Sequence, residues 1–416
     1  MNNTTKHPFL HEHLAVIGAA GKMGAGIALV LLEERLRVEA EAFGQIVSTK
    51  PLLTLVDTSS EGLSKLKSYL REQLLRYTEK NIVLLRRYFA NNDTLISNRE
   101  IVDYFMEKGF ESVQFTESLE ALKHVTICFE AMSEDVEAKK SVYKQIDAIA
   151  KSPPIYFSNT SAIPISILNE GGNLDGRIIG FHFYNPPPVQ AVLEMVALPS
   201  SNNDLKNRAL EIAKVLGKTV VNANDVAGFI GNGYLIREIT TACALVQSLN
   251  PEYSLPQAVC MVEEVSREYL LRPMGIFQLV EYVGFDLVLK IGSIMNAYLS
   301  KPLYDETLVA FLKLCRPHFA ESKIDSNLLG ALPKGHMPWK SLSKDANRAT
   351  KVQHYMAELQ KETTIGSMLA KKMLKGTSDS ADQLIKTQVA ASYEDVDTVL
   401  KKGFYHLYGA NEYGKL

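Results

Sequence analysis

Cysteine is scarce. The 416 residues hold four, Cys128, Cys243, Cys260 and Cys315, widely spaced and with no Cys-x-x-Cys pair. That speaks against a disulfide scaffold or a thiolate metal cluster and fits a reducing compartment. Net charge is scarce as well, at −2, so nothing points to a nucleic-acid or anionic-membrane partner. Long apolar runs are lacking. The most apolar stretch, Leu14–Leu32, approaches membrane-span length, but it contains Lys22 and four glycines and reads as strand, turn and helix. The segment Met1–His13 is polar and charged and lacks the signal-peptide pattern. The expectation is a cytoplasmic protein with neither nucleic acid nor membrane as partner and no metal.

What is present is ordinary globular material, 46% hydrophobic and 22% charged, in a chain long enough for two or three domains. The first half alternates strand-like and helix-like segments, the pattern of a parallel α/β sheet. Strands are predicted at Leu14–Ile17, Leu52–Val56, Val125–Phe129, Ile155–Phe157 and Ile178–Phe183, with Leu193–Val196 and Thr219–Val221 as later additions. Helices are predicted from Met23 to about Glu34, from Ser60 to about Arg76 and around Val136–Ala150, with charge-rich helical sequence to about 108. After about Asp225 the character becomes all-helical, opening with one long helix over Phe229–Leu249. The boundaries expected are 1–226 for the α/β domain, 227–300 for a helical domain and 301–416 for a helical extension. The stretch Lys323–Lys344, rich in Pro, Gly and Ser, reads as a linker. A faint repeat links Arg272-Pro-Met-Gly-Ile-Phe-Gln-Leu279 with His406-Leu-Tyr-Gly-Ala-Asn-Glu-Tyr413, which share a glycine at one offset and an acidic or amide residue three later.

Gly18-Ala-Ala-Gly21-Lys22-Met23-Gly24 lies between a predicted strand and a predicted helix. Glycines there permit a tight turn and let the backbone approach a pyrophosphate, while the helix N-terminus offers free N–H groups. Asp57 ends the second strand, where a carboxylate can bind adenosine ribose hydroxyls and would repel a 2′-phosphate, so NAD is the cofactor expected. Asp57 could equally be a helix N-terminal aspartate. It stands 33 residues after Gly24, and the excess at Glu33–Pro51 reads as an insertion between the helix and the second strand.

A second cluster runs from Ser158 to Glu194. Ser158-Asn-Thr-Ser161 follows an apolar strand, at the strand end that faces the ligand crevice of an open sheet. His182 sits near the end of Ile178–Phe183, ahead of Tyr184-Asn185 and three prolines, and Glu194 sits in the next strand. Removing hydride from an alcohol needs a base for the hydroxyl proton, and histidine suits because it titrates near neutrality. A carboxylate on its other ring nitrogen would fix the tautomer. Each residue alone has an ordinary structural reading.

Taken in order, Gly18–Gly24, Glu130-Ala-Met-Ser-Glu134, Ser158-Asn-Thr-Ser161, Phe181-His-Phe-Tyr-Asn-Pro186, Glu194, Asp225-Val-Ala-Gly-Phe-Ile-Gly-Asn232 and Arg272-Pro-Met-Gly275 resemble the L-3-hydroxyacyl-CoA dehydrogenases, over roughly residues 12–290. The twelve-residue spacing of His182 and Glu194 matches that family too. The resemblance implies a Rossmann-type dinucleotide-binding domain followed by an all-α C-terminal domain of the 6-phosphogluconate dehydrogenase type. It implies NAD as cofactor and an acyl-CoA substrate in fatty-acid metabolism. It makes His182 the base, Glu194 its orienting carboxylate, Ser161 and Asn232 the groups on the substrate oxygen, and Asn185 a support beside the histidine. Glu134 and Lys139 match cofactor-contacting positions, beside Gly18, Gly21, Lys22, Met23, Gly24 and Asp57. Lys80 falls where the family places a basic residue near CoA.

Three features depart from the family: the insertion, the missing counterpart of a glycine-rich, lysine-containing segment (Pro333–Trp339 is a poor substitute), and the tail to Leu416. The tail resembles a shortened second copy of the helical module. The chain is therefore expected to be a homodimer or a monomer with an internal pseudo-dimer of helical modules. Two alternatives stay open: a sister dehydrogenase acting on a free hydroxy acid or sugar acid, and a non-catalytic NADH-binding protein.

Overall fold

The computed structural model describes residues 7–10, 12–47, 51–249, 252–319 and 328–414. The chain divides into two compact units, one of residues 1–160 and 165–220 and one of 161–164 and 221–416.

The sheet has eight strands: β1 (Leu14–Ile17), β2 (Leu53–Val56), β3 (Val113–Thr116), β4 (Ile127–Glu130), β5 (Ile155–Ser158), β6 (Ile178–Phe183), β7 (Val192–Ala197) and β8 (Thr219–Asn222). Their order is β3-β2-β1-β4-β5-β6-β7-β8. The first six pair in parallel and β7 runs antiparallel to β6. The sheet is therefore mixed, not parallel throughout as the sequence pattern suggests. Strand order reverses between β1 and β4, so their C-terminal ends open the crevice where doubly wound sheets bind ligands. The edge strand β3 was not predicted. It has four residues, only the first buried, too short and too polar for a periodicity signal.

Seven helices accompany the sheet: α1 (Lys22–Phe43), α2 (Ser60–Lys80), α3 (Ile82–Tyr88), α4 (Asn98–Glu111), α5 (Val136–Ile149), α6 (Ile165–Gly172) and α7 (Asn203–Val215). One apolar core unites β1, β2 and β4 with the inner faces of α1, α2, α4 and α7. The insertion expected at Glu33–Pro51 is instead mostly helix. The chain does not leave α1 near Glu34 but continues to Phe43, closed by Gly44 in the left-handed region (φ 64°). Charges do not break it because they are paired: Arg35 meets Glu39 at 3.0 Å, both buried, and Arg37 meets Glu34 and Glu41. Residues 48–50 of that stretch lie outside the described residues.

The second unit is helical: α8 (Phe229–Leu249), α9 (Leu255–Glu264), α10 (Ile276–Val283), α11 (Phe285–Tyr298), α12 (Glu306–Cys315), α13 (Trp339–Leu342), α14 (Arg348–Lys361), α15 (Ile365–Lys386) and α16 (Tyr393–Thr398). α8 spans the residues predicted for it. The linker expected over Lys323–Lys344 lies partly outside the described residues, and its later part carries α13. No described helix is long and apolar enough to cross a membrane.

The two segments noted as a faint repeat share a local geometry. Each follows a π-helical turn, Val265–Tyr269 after α9 and Val399–Gly403 after α16. Each is entered through a residue of positive φ, Leu271 (49°) and Tyr405 (58°). At each shared glycine a Cβ would strike a carboxylate, Glu263 at Gly275 and Asp397 at Gly409, and that carboxylate accepts backbone N–H groups just beyond the glycine. Between α8 and α15, Arg272 donates to Glu238 at 2.7 Å and to Thr377 at 2.9 Å, and Thr377 donates to the other Glu238 oxygen at 2.5 Å.

Arg272 and Glu238 are almost wholly buried, so removing one charge strands the other. Glu238→Gln should destabilise the second unit by roughly 3 kcal/mol, visible as a lowered Tm in thermal unfolding. An unchanged Tm would mean that the pair contributes nothing.

Candidate active site

The phosphate turn is built from contacts that only glycine allows. Gly18 has φ +76°, and a Cβ there would lie 2.7 Å from Ala131 O, in the chain leaving β4. A Cβ on Gly24 would lie 2.0 Å from Gly18 O. Gly21 caps α1 with no side-chain hydrogen bond and the first turn carries no acidic residue, so no carboxylate of that turn competes for the positive end of the helix dipole. Gly21 and Lys22 are exposed; Met23 packs on the core beneath. Asp57 Oδ2 accepts from Ala20 N at 2.9 Å, and Oδ1 accepts from Ser59 N at 3.1 Å. The cap of α2 is Ser59, so Asp57 is not that helix's N-cap but a brace between glycine turn and helix. A cradle that a Cβ would fill, a bare helix N-terminus and a carboxylate at the end of β2 fit a dinucleotide.

Beside the turn lies a buried polar network. Glu130 ends β4, wholly buried. It accepts from Lys139 Nζ at 2.5 Å, Met132 N at 2.7 Å, Tyr143 Oη at 2.9 Å and Ser158 Oγ at 2.6 Å. Burial works against the Lys139 charge, but Glu130 and Glu134 outweigh it and raise the ammonium above its usual range. Burial, reinforced by Glu130, pushes the Tyr143 phenol well up. Glu134 lies 3.7 Å from Lys139 and accepts from Thr160 Oγ1 at 2.8 and 3.0 Å. Lys139 thus sits within the frame of the site; its ammonium is spent on Glu130, Glu134 and Met132 O.

The hairpin of β6 and β7 carries His182 and Glu194. The antiparallel register sets His182 directly opposite Glu194, which accounts for their twelve-residue spacing. His182 Nδ1 lies 3.4 Å from Glu194 Oε1, with Glu194 fully buried and the imidazole slightly exposed. Tyr184 donates to the same oxygen at 2.7 Å, and burial together with Glu194 raises its phenol well above the usual range. Asn159 Oδ1 accepts from Phe183 N at 2.8 Å, pinning β6 next to the histidine. Asn185 follows, and its buried Oδ1 has no hydrogen-bond partner among the described residues.

Ser161 and Asn232 belong to the second unit, where Asn232 Nδ2 donates to Ser161 O at 2.9 Å. Lys80 ends α2, exposed; its charge is felt by Glu33 of α1, whose carboxyl burial pushes up to about 7. Nothing gathers it with the groups above. Glu130, Tyr143, Ser158 and Tyr184 were not assigned roles from the sequence. Glu130, Ser158 and Tyr184 stand inside the quoted motifs, which was the one signal available.

The 3-hydroxyacyl-CoA dehydrogenase NAD-binding domain model matches residues 13–226, just over half of the chain. The chain belongs to the 3-hydroxyacyl-CoA dehydrogenase family. The mitochondrial hydroxyacyl-coenzyme A dehydrogenase of Sus scrofa is 30% identical over 278 residues, 67% of this chain and 77% of that protein. A probable 3-hydroxybutyryl-CoA dehydrogenase of Bacillus subtilis (strain 168) is 27% identical over 289 residues, 70% and 87% of the two chains. The crystal structure of 3-hydroxybutyryl-CoA dehydrogenase from Escherichia coli K12 substr. MG1655 matches with a TM-score of 0.67 at 18% identity, covering 97% of this chain and 91% of that one. This last likeness is one of fold, and it extends through the helical extension. The family match makes the first unit an NAD-binding domain, and NAD is the cofactor its glycine turn fits.

Replacing Gly24 by alanine sets a methyl against the backbone of Gly18 and Ala19 at the start of the turn. Gly24→Ala should abolish detectable NADH binding by fluorescence titration. Binding within threefold of wild type would remove the turn from the cofactor site.

Proposed function

We propose that the chain is an NAD-dependent L-3-hydroxyacyl-CoA dehydrogenase of fatty-acid metabolism, with His182 as general base. The observation that carries it is the His182–Glu194 pair, set face to face by strand register at the end of the sheet that bears the dinucleotide turn. His182 accepts the 3-hydroxyl proton on the ring nitrogen away from Glu194, and the buried carboxylate stabilises the imidazolium that forms. Gly18, Gly21 and Gly24 hold the pyrophosphate, Lys22 and Met23 line it, and Asp57 takes the adenosine ribose. NAD, when bound, accepts the hydride released from C3. Glu134 and Lys139 shape the nicotinamide side, Glu134 held by Thr160. Ser161 and Asn232 are assigned to the substrate oxygen on resemblance alone, where in reduction such donors would polarise the ketone. Asn185 supports the histidine, and Lys80 is assigned to CoA on resemblance alone. The likeness of the Phe181-His-Phe-Tyr-Asn stretch to the acyl-CoA branch favours a thioester over a free hydroxy acid or sugar acid, and the intact polar set favours turnover over binding alone. Four buried cysteines support the cytoplasm as its compartment.

Purified protein with NADH and acetoacetyl-CoA should consume NADH, and free acetoacetate should not be reduced. Consumption with the free acid would move the assignment to the sister dehydrogenase; binding without consumption of either would leave a binding protein. His182→Gln should lower kcat by roughly 10²–10⁴-fold with NADH affinity nearly unchanged. A variant retaining most of its turnover would remove His182 from the mechanism.

We further read the helical extension as a degenerate second copy of the helical module, packed within the chain in place of a partner subunit. The paired π-turns, positive-φ entries and glycine–carboxylate contacts support it. Light scattering should give a monomer mass near 46.2 kDa, whereas a mass at twice that value would refute the internal pseudo-dimer.

A further inference from the structure

We propose that Lys218 is a positioning residue for the dehydrogenation, its ammonium clamping the loop between β6 and β7 against α1. The kinetic consequence rests on the dehydrogenase reading above; the clamp itself rests on geometry.

The loop Tyr184–Ala191 joins the strand of the base to the strand of its carboxylate. Three of its eight residues are proline, which has no N–H to donate, so it can brace itself little from within. Within it, Val189 N and Gln190 N donate to Pro186 O. Two further carbonyls, Pro187 O and Gln190 O, accept from Lys218 Nζ at 2.5 and 2.8 Å. Lys218 stands in the turn between α7 and β8, after Gly217 at φ +67°. Its own N–H donates to Ala213 O at 2.8 Å, and the next residue, Thr219, donates to Ala191 O at 2.7 Å. The ammonium also lies 5.8 Å from the centre of the Phe183 ring, the neighbour of His182.

On its other side the loop meets the dinucleotide helix. Pro187 packs so closely on α1 that a Cβ at Gly26 would come within 2.7 Å of the proline ring. The loop is therefore held between α1 and one lysine. Charge-assisted bonds are roughly twice as strong as neutral ones, so a charged lysine holds two carbonyls far better than a neutral one. Facing the ammonium are those two carbonyls from the loop and the Phe183 ring from β6; none of them titrates. Burial lowers its pKa to about 8 with no countercharge offsetting it. The clamp should weaken as pH rises through that value.

A displacement of about 1 Å at a reacting group can cost up to about 100-fold in rate. With NADH and acetoacetyl-CoA, Lys218→Met should lower kcat by about 10- to 100-fold while the KM for NADH changes by less than about threefold, and Lys218→Arg should restore most of it. In the oxidation direction, with NAD and 3-hydroxybutyryl-CoA, where His182 as base sets only the acid limb, the wild-type kcat should fall above about pH 8, and that alkaline limb should move to higher pH in the arginine variant. Hydrogen–deuterium exchange should quicken at 184–191 in the methionine variant and stay unchanged in β1 and β4. Unchanged kcat and exchange in Lys218→Met, or an alkaline limb that does not move in Lys218→Arg, would overturn the clamp. If the wild type turns over no thioester, the dehydrogenase reading falls and exchange alone decides the clamp. If Lys218→Met fails to fold, the pH limb of Lys218→Arg decides it.

Discussion

The binding side of the first unit depends on one buried carboxylate. Taking an ion such as Glu130 out of water costs several kcal/mol unless it is paired and its remaining lone pairs are satisfied. Here Lys139 supplies the countercharge, and Met132 N, Tyr143 and Ser158 supply the rest. The compensation has geometric consequences. The bond to Met132 N bends the chain as it leaves β4 and holds Ala131 O against Gly18, where no other residue would fit. The bond to Lys139 draws in α5, and the bond to Ser158 ties the end of β5 to the end of β4. Thr160 and Glu134 extend the network by one more shell. The crevice is thus rigid before any ligand enters, as a site must be if its donors are to be spent on the transition state.

How much of this was legible in the sequence depends on the kind of signal. The glycine turn was, because its glycines, preceding strand and following helix are local. The strand direction of β7 was not. Both β6 and β7 are buried on almost every residue, so neither alternates, and a continuous apolar run encodes no direction. The His182–Glu194 spacing was visible, but its meaning required the antiparallel register. The end of α1 was misread for the opposite reason. Glu33–Pro51 reads as an insertion after the helix, yet Arg35 and Glu39 neutralise each other inside the protein, and the binary apolar pattern does not register a buried ion pair.

Other roles became visible only through the partners that the fold supplies. Tyr184 reads as one more aromatic in an apolar strand until its hydroxyl is found on Glu194. Lys218 reads as a turn lysine until two carbonyls some thirty residues earlier are found on its ammonium. Lys139 shows the converse. The resemblance suggested a cofactor contact, whereas its ammonium is committed to carboxylates and a carbonyl of the protein. Any effect it has on NAD passes through the shape of the loop after β4.

The second unit shows how two segments can agree in backbone and differ in side chains. Its two segments keep the backbone features that sterics enforce: the π-turn, the positive-φ entry, and the glycine under a carboxylate. They differ where electrostatics decides. One segment places Arg272 between α8 and α15, paired with Glu238. The other places His406 at the matching position, buried, its pKa driven well below the usual imidazole range by burial and by Arg272. A single buried acid can compensate a single buried cation. A second arginine there would lie uncompensated beside the first, at a cost of several kcal/mol, while a neutral imidazole fills the space without adding charge. The repeat is therefore preserved in the backbone and broken in the side chains, and the break follows from the one charge pair that the interface between α8 and α15 can neutralise.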